Sequence, residues 1–185
     1  MLGSLLRGRG GLMGLFERKR AFGLDIGSSA IKLVELGERA GRYELKGFAM
    51  VDLPPDAISE GTIKDPPTVV EAIEEAVGKA RVKGNDAVIG ISGHSLIMKK
   101  ISLPRATRKD LAEAIPLEAE HHIPFAIDDV YLDYQVVGES QGEDGLMEVI
   151  LVAVKRAKVD EYLAVVEGAG VNPVVVDVDA FALAN

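Results

Sequence analysis

The sequence predicts a mixed α/β fold built in two blocks, and three observations carry that expectation. Apolar residues alternate with polar ones through Phe22–Leu36 and again through Arg42–Leu53, the period-two pattern of half-buried strands. From Thr68 the period becomes that of an amphipathic helix, and a short apolar run at Ala87–Ile91 returns the chain to strand. After His94 the order becomes strand, helix, strand, strand, helix, which is a compact α+β unit in itself. A chain of 185 residues, 48% of them hydrophobic, is long enough to bury a core and to hold one or two domains.

In the first block, Leu24 and Ile26 alternate with Gly23 and Asp25. After a turn of small residues, Ile31, Leu33, Val34 and Leu36 resume the extended pattern. Gly37 to Gly41 reads as the connection to a third strand over 42–53, which Pro54-Pro55 ends. Residues 54–67 are turn-rich and read as loosely ordered. Thr68 is placed to cap a helix with Val69, Ala72, Ile73, Ala76 and Val77 on one face and Glu71, Glu74, Glu75 and Lys79 opposite. Lys83-Gly84-Asn85 stops it, and Ala87–Ile91 follows as a short buried strand.

In the second block, Leu96–Leu103 reads as an edge strand closed by Pro104. Thr107–Asp110 opens a helix with Leu111, Ile115 and Ala119 on one face, running toward Ile123. Pro116 should kink or divide that helix, because it removes a donor and crowds the preceding turn. Val130–Val137 alternates on both faces, Gly138–Gly145 is a polar acidic loop, and Leu146–Val154 is the most apolar strand of the chain. Ala157–Gly168 is a helix with Val159, Tyr162, Leu163 and Val166 inward, and Gly168 and Gly170 stop it. Val174–Val178 is a last strand, and Ala180–Ala184 begins a further helix.

Composition narrows the chemistry. With no cysteine, disulfides, thiolate catalysis and zinc-finger sites are excluded. No apolar run approaches the roughly 20 residues that span a bilayer. The net charge of −8 is uneven: Arg7, Arg9, Arg18, Lys19 and Arg20 face Glu17 alone, so residues 1–20 carry +4 and the remainder −12. An acidic body argues against nucleic acid as a partner. The basic leader, residues 1–21, reads as a flexible end. It lacks the apolar core of a secretory signal, since Arg7 and Arg9 break it.

The turn Asp25-Ile-Gly27-Ser28-Ser29 carries the chemistry. Gly27 allows positive φ and lets a phosphate approach the backbone without a Cβ in the way. Successive N–H groups and two hydroxyls can form an anion-binding concavity. Asp25, at its mouth, is placed to hold a hydrated Mg²⁺ through water, and Lys32 can add a positive point charge. This is a strand–turn–strand cradle; the P-loop's strand-to-helix turn and Gly-Lys-Ser/Thr ending are absent.

That hairpin resembles the first phosphate motif of the actin-like ATPase superfamily. The wording Leu24-Asp-Ile-Gly-Ser-Ser-x-Ile-Lys-x-Val-Glu-Leu36 is similar to the PilM family of type IV pilus assembly, which is related to FtsA. So are Ile91-Ser-Gly-His-Ser95, Glu118-Ala-Glu-x-x-Ile-Pro-Phe125 and Leu132-Asp-Tyr-Gln-Val-Val-Gly138, which together cover most of residues 22–185 in order. Chains of that family begin close to Met-Gly-Leu-Phe, which makes Met13 a candidate natural start.

The resemblance implies an actin-like, ribonuclease H-type α/β subdomain from residues 22–95 plus 174–185, with an inserted small α+β subdomain over 96–173. Only the first half of a two-lobed fold is expected, because neither a second Asp-x-Gly hairpin nor a Gly-Gly adenosine motif follows. It implies ATP with Mg as cofactors, bound through Asp25, Gly27, Ser28, Ser29, Lys32 and Asp179. Either carboxylate of Asp177-Val-Asp179 can orient a water or touch the metal, although an Asp ahead of an alanine-rich helix also serves as an N-cap. Hydrolysis should be slow or absent, and half a site should bind ATP poorly. The implied setting is cytoplasmic, at the inner face of the inner membrane and held there by partners. Those partners are the cytoplasmic N-terminal peptide of PilN and other inner-membrane and motor components of the pilus. An FtsA-like division protein and a small-molecule kinase of the same superfamily stand as alternatives.

Other motifs are weaker. His121 and His122 are adjacent on a helix, so their side chains diverge by roughly 100° and do not chelate one ion together. Ser92, His94 and Ser95 lack the Gly-x-Ser-x-Gly spacing of a serine hydrolase. Asp128-Asp129 and Glu143-Asp144 lack calcium-loop spacing, and Gly8-Arg-Gly10-Gly11 has no preceding strand for a dinucleotide. Lys99-Lys100, Arg105, Arg108 and Lys109 read as a charged edge that discourages strand pairing.

Overall fold

The computed structural model describes residues 21–91, 96–139 and 145–178. By contacts the chain divides into two compact units. One contains residues 94–159, and the other the preceding strands together with residues from Asp160 onward.

The unit holding the N-terminal strands is built on a five-stranded sheet. Strands β1 (Phe22–Ile26), β2 (Ala30–Arg39) and β3 (Arg42–Asp52) form an antiparallel meander. Two further strands, β6 (Asp86–Ile91) and β10 (Asn172–Val178), join β1 in parallel, giving the order β10-β6-β1-β2-β3. The alternation in the sequence fixes which face is buried: Phe22, Leu24, Ile26, Ile31, Leu33, Ala49 and Val51 lie inward. Helix α1 (Pro66–Ala80) packs on β2 and β3 through Val69, Ala72, Ile73, Ala76 and Ala80. The last strand returns to the first sheet, as the resemblance implies.

Three local expectations need correction. The third strand does not follow a loop from Gly37; β2 runs on to Arg39, and Ala40 and Gly41 make a tight turn at φ 52° and 74°. Two successive positive φ values match the strand twist, which is why so short a connection suffices. Residues 54–67 are not loose. Strands β4 (Ile58–Ser59) and β5 (Thr62–Ile63) pair as a small hairpin with Ala57, Ile58 and Ile63 buried, too short for a periodic pattern to reveal. Finally, α1 starts before Thr68: Asp65 is its N-cap, accepting from the Thr68 amide at 3.3 Å and hydroxyl at 2.7 Å, and Pro66-Pro67 occupy the first turn.

The other unit is a three-stranded antiparallel sheet in the order β7-β9-β8, from β7 (Leu96–Pro104), β8 (Val130–Glu139) and β9 (Leu146–Lys155). Helix α2 (Arg108–His122) covers one face. Leu111, Ile115, Ala119 and Ile123 close a core with Ile101, Leu103, Val130, Met147, Val149 and Leu151. A capping box of Thr107 and Asp110 starts the helix. Pro116 does not divide it. Leu111 and Ile115 on one side of the proline and Ala119 on the other are all buried in one core, which holds both halves in a single helix.

Helix α3 (Arg156–Gly168) contains the division between units, at Val159/Asp160. The resemblance places that boundary at 173/174. Residues 160–173 instead belong with the five-stranded unit, where Glu161 accepts from the Ile63 amide and the Tyr162 hydroxyl donates to the Gly61 carbonyl at 3.0 Å.

Candidate functional site

The candidate site grows from the β1–β2 turn. Asp25 follows Leu24 on β1, so it points to the sheet face opposite the buried one, and Lys32 sits directly across from it on β2. The Lys32 Nζ lies 2.9 Å from Asp25 Oδ2. Both side chains are about half exposed, 49% and 59%. An ion pair so open to water is worth roughly 0–1 kcal/mol, so a competing phosphate or cation can separate it at little cost.

Gly27 works differently from the expectation. Its φ is not in the left-handed region. What it provides is the missing side chain: a Cβ there would stand 3.1 Å from the Ala30 carbonyl oxygen, tighter than most real contacts. Its N–H donates to that same oxygen at 3.1 Å, so this amide is spent inside the hairpin and does not contribute to an anion nest. Ser28 and Ser29 form the exposed tip, and the Ser29 carbonyl accepts from the Leu53 amide at 2.8 Å, which ties the tip to the end of β3.

The parallel register adds two residues. Leu24, Ile89 and Val176 lie side by side in β1, β6 and β10, all buried. The next residue on each strand, Asp25, Gly90 and Asp177, therefore falls in one row on the opposite face. With strands about 4.8 Å apart, Asp25 and Asp177 stand roughly 10 Å from each other across a glycine floor. Lys32 extends the row on β2. Sequence reasoning does not find Gly90, and only the register, aligning Leu-Asp, Ile-Gly and Val-Asp, brings the three together. Asp179, the carboxylate expected to contact nucleotide, lies outside the described residues, as do Ser92, His94, Ser95, Glu143, Asp144 and the basic leader.

Close by, Tyr162 is 4% exposed, and its hydroxyl is pushed above its usual pKa by burial first, then by the charges of Glu161 and Asp25. It therefore stays a hydrogen-bond donor throughout the physiological range.

Among the described residues no group of three His, Asp or Glu side chains could hold a metal without other ligands. Asp25 and Asp177 instead suit a hydrated Mg²⁺ that keeps waters and shares phosphate oxygens. Around the turn the structure offers carboxylate acceptors at Asp25 and Asp177, a cation at Lys32 and two exposed hydroxyl residues at Ser28 and Ser29. Of the remaining candidates, Lys100 is engaged with Glu148 at 2.7 Å, and the Asp128 carbonyl accepts from Arg156 Nε at 2.7 Å. His121 and His122 are exposed and line a groove beside β7.

A family model for type IV pilus assembly protein PilM matches residues 23–185. The chain belongs to the PilM family. A solved PilM–PilN type IV pilus biogenesis complex contains a chain 33% identical to it, with a TM-score of 0.79 over 90% of this chain and 49% of that one. The cytoplasmic domain of EpsL, an inner-membrane component of the type II secretion system of Vibrio cholerae, shares the fold. It is 17% identical at a TM-score of 0.56, over 89% of this chain and 59% of that one. The chain thus spans about half the length of the solved PilM chain it matches. Membership in the PilM family agrees with the actin-like reading of the five-stranded sheet, and the match includes the β1–β2 hairpin residues Asp25 to Lys32. No helix among the described residues is long and apolar enough to cross a membrane.

Proposed function

We propose that this chain forms the first nucleotide-facing half of a type IV pilus assembly protein that binds Mg-ATP and captures the cytoplasmic N-terminal tail of PilN. The row Lys32, Asp25, Gly90, Asp177 at the β1–β2 turn is the observation that carries the nucleotide part. Asp25 and Asp177 would hold water-coordinated Mg²⁺, Lys32 would meet phosphate, and Gly27 with Ser28 and Ser29 would let phosphate approach the turn. Asp179, two positions beyond Asp177 in the sequence, is a further candidate ligand. When bound, Mg²⁺ would offset the charge of Asp25 and Asp177 against the phosphates while Lys32 meets them directly, and the nucleotide would act as a conformational ligand with little or no turnover.

The PilN part is supported by the 33% identity to a chain solved in a PilM–PilN complex. In this reading the protein works on the cytoplasmic side of the inner membrane. It is held there by PilN and passes that attachment on to motor components.

Calorimetry with a synthetic PilN tail, with and without Mg-ATP, tests the reading. Saturable peptide binding that changes when Mg-ATP is added, and loses that change in Asp25→Ala, is the expected result. A tail that does not bind in either condition would overturn the partner, and peptide binding indifferent to Mg-ATP would overturn the nucleotide.

A further inference from the structure

Strands β2 and β3 turn back at Ala40-Gly41, and the residues flanking that turn, Arg39 and Arg42, stand directly opposite each other. Like charges in that register repel and weaken the pairing. Both are exposed, and neither meets a carboxylate among the described residues. Arg81 and Lys83 lie at the same end of the sheet, where the loop from α1 into β6 abuts β3. Val82 between them stands 3.5 Å from the place of a Gly47 Cβ. These two cations are also exposed and without a carboxylate among the described residues. The chain enters β1 at this end as well, since Phe22 pairs with Ala87 near the start of β6. Arg18, Lys19 and Arg20 precede it closely in the sequence.

Opposing charge is scarce here, although residues 21–185 carry −12 overall. Glu44 is held by Lys46 at 2.6 Å, Asp86 is buried against Asn172, and Glu38 is itself engaged. Glu167 stands on the side of β10, the opposite edge of the sheet from β3. Apolar side chains sit beside the cations. Leu36 and Leu45 face each other across β2 and β3, and Tyr43 follows on the same face. They are 51%, 64% and 78% exposed. One kind of surface satisfies both features. A bilayer with anionic headgroups gives phosphates to guanidinium groups, and its interfacial layer accepts a tyrosine ring and aliphatic side chains.

We infer that this end of the sheet docks on an anionic lipid surface. Arg39, Arg42, Arg81 and Lys83 meet the headgroup phosphates, while Tyr43, Leu45 and Leu36 enter the interfacial layer. The β1–β2 turn lies at the other end of the strands. Lys32 is seven residues from Arg39 along β2, a span of roughly 23 Å. Docking at the tip therefore leaves Asp25 and Lys32 open to solvent. The reading above attaches the protein to the membrane through PilN. This contact is made by the chain itself and does not depend on that partner.

Vesicle co-sedimentation with the full 185-residue chain, in the absence of PilN, tests the docking. Vesicles of phosphatidylglycerol mixed with phosphatidylcholine should bind the protein at least tenfold more tightly than phosphatidylcholine alone. The excess should fall as salt is raised. Arg39→Glu with Arg42→Glu should weaken that binding at least tenfold, and Tyr43→Ser with Leu45→Ser at least threefold. All four sites are exposed, so both variants should keep the wild-type circular dichroism spectrum. The chain contains no tryptophan, so Tyr43→Trp supplies a single reporter. Its emission should shift to the blue and be quenched by brominated lipid, whereas Met50→Trp, across from Lys32, should be unaffected. Equal binding to both kinds of vesicle, or to neither, would overturn the proposal. Binding undiminished in Arg39→Glu with Arg42→Glu would overturn it too, and would assign the attraction to the basic leader.

Discussion

The Tyr162 hydroxyl donates to the Gly61 carbonyl at 3.0 Å, joining α3 to the turn of the β4–β5 hairpin across 101 residues of sequence. Beside it Glu161 accepts from the Ile63 amide, so one turn of helix holds the hairpin's turn and its second strand. Tyr162→Phe should therefore destabilise the protein by about 0.5–1.5 kcal/mol, read from urea unfolding. The lower end is expected, because Gly61 is only partly buried and water can replace the lost donor. No change would mean that packing of the ring alone holds the hairpin.

The same tyrosine sets a pH dependence. Its pKa is raised in the folded protein by burial, Glu161 and Asp25, above the ordinary value of 10.0. As pH climbs past 10 the unfolded chain gives up this proton while the folded chain keeps it, so unfolding is favoured. Stability attributable to Tyr162 should be fully present below pH 10 and decline between there and the raised value. Unfolding curves from pH 8 to 11 should fall less steeply for Tyr162→Phe than for the wild type.

The hairpin and its clasp explain what the sequence could not reveal. Strands β1, β2, β6 and β9 were legible because their side chains alternate or run apolar over enough residues to expose a period. Two-residue strands carry no period, and their support arrives from Glu161 and Tyr162 far along the chain. The same limit applies to the site. Asp25 and Lys32 are readable because a local hairpin pairs them. Gly90 and Asp177 join them only through parallel pairings between distant strands, which no local pattern encodes. The boundary at 173/174 rests on the resemblance and not on any local pattern, whereas contacts between residues far apart in sequence group Asp160 onward with the five-stranded unit.

The Asp25–Lys32 pair separates stability from ligand binding. Since both ends are exposed, Lys32→Met should change stability by less than about 0.5 kcal/mol. If Lys32 meets phosphate, the same variant should weaken Mg-ATP binding by several-fold or more, read by calorimetry. A variant that loses stability without losing nucleotide affinity would assign Lys32 to the fold.

Two glycines in one contact region should respond in opposite directions. Gly47 sits on β3 where the end of α1 crosses, and a Cβ there would be 2.8 Å from the Ala80 carbonyl oxygen. Backbone cannot swing aside as a side chain can, so Gly47→Ala must push the helix end off the sheet, at a cost of about 1–3 kcal/mol. Gly78 is exposed on the same helix, two residues from Ala80, with nothing within 4 Å of the added atom. Gly78→Ala should therefore stabilise by about 0.5–1 kcal/mol through helix propensity alone. Urea midpoints moving down for Gly47→Ala and up for Gly78→Ala would locate the constraint in the α1–β3 contact. A rise in both would mean that α1 can lift from β3 at Gly47 without loss.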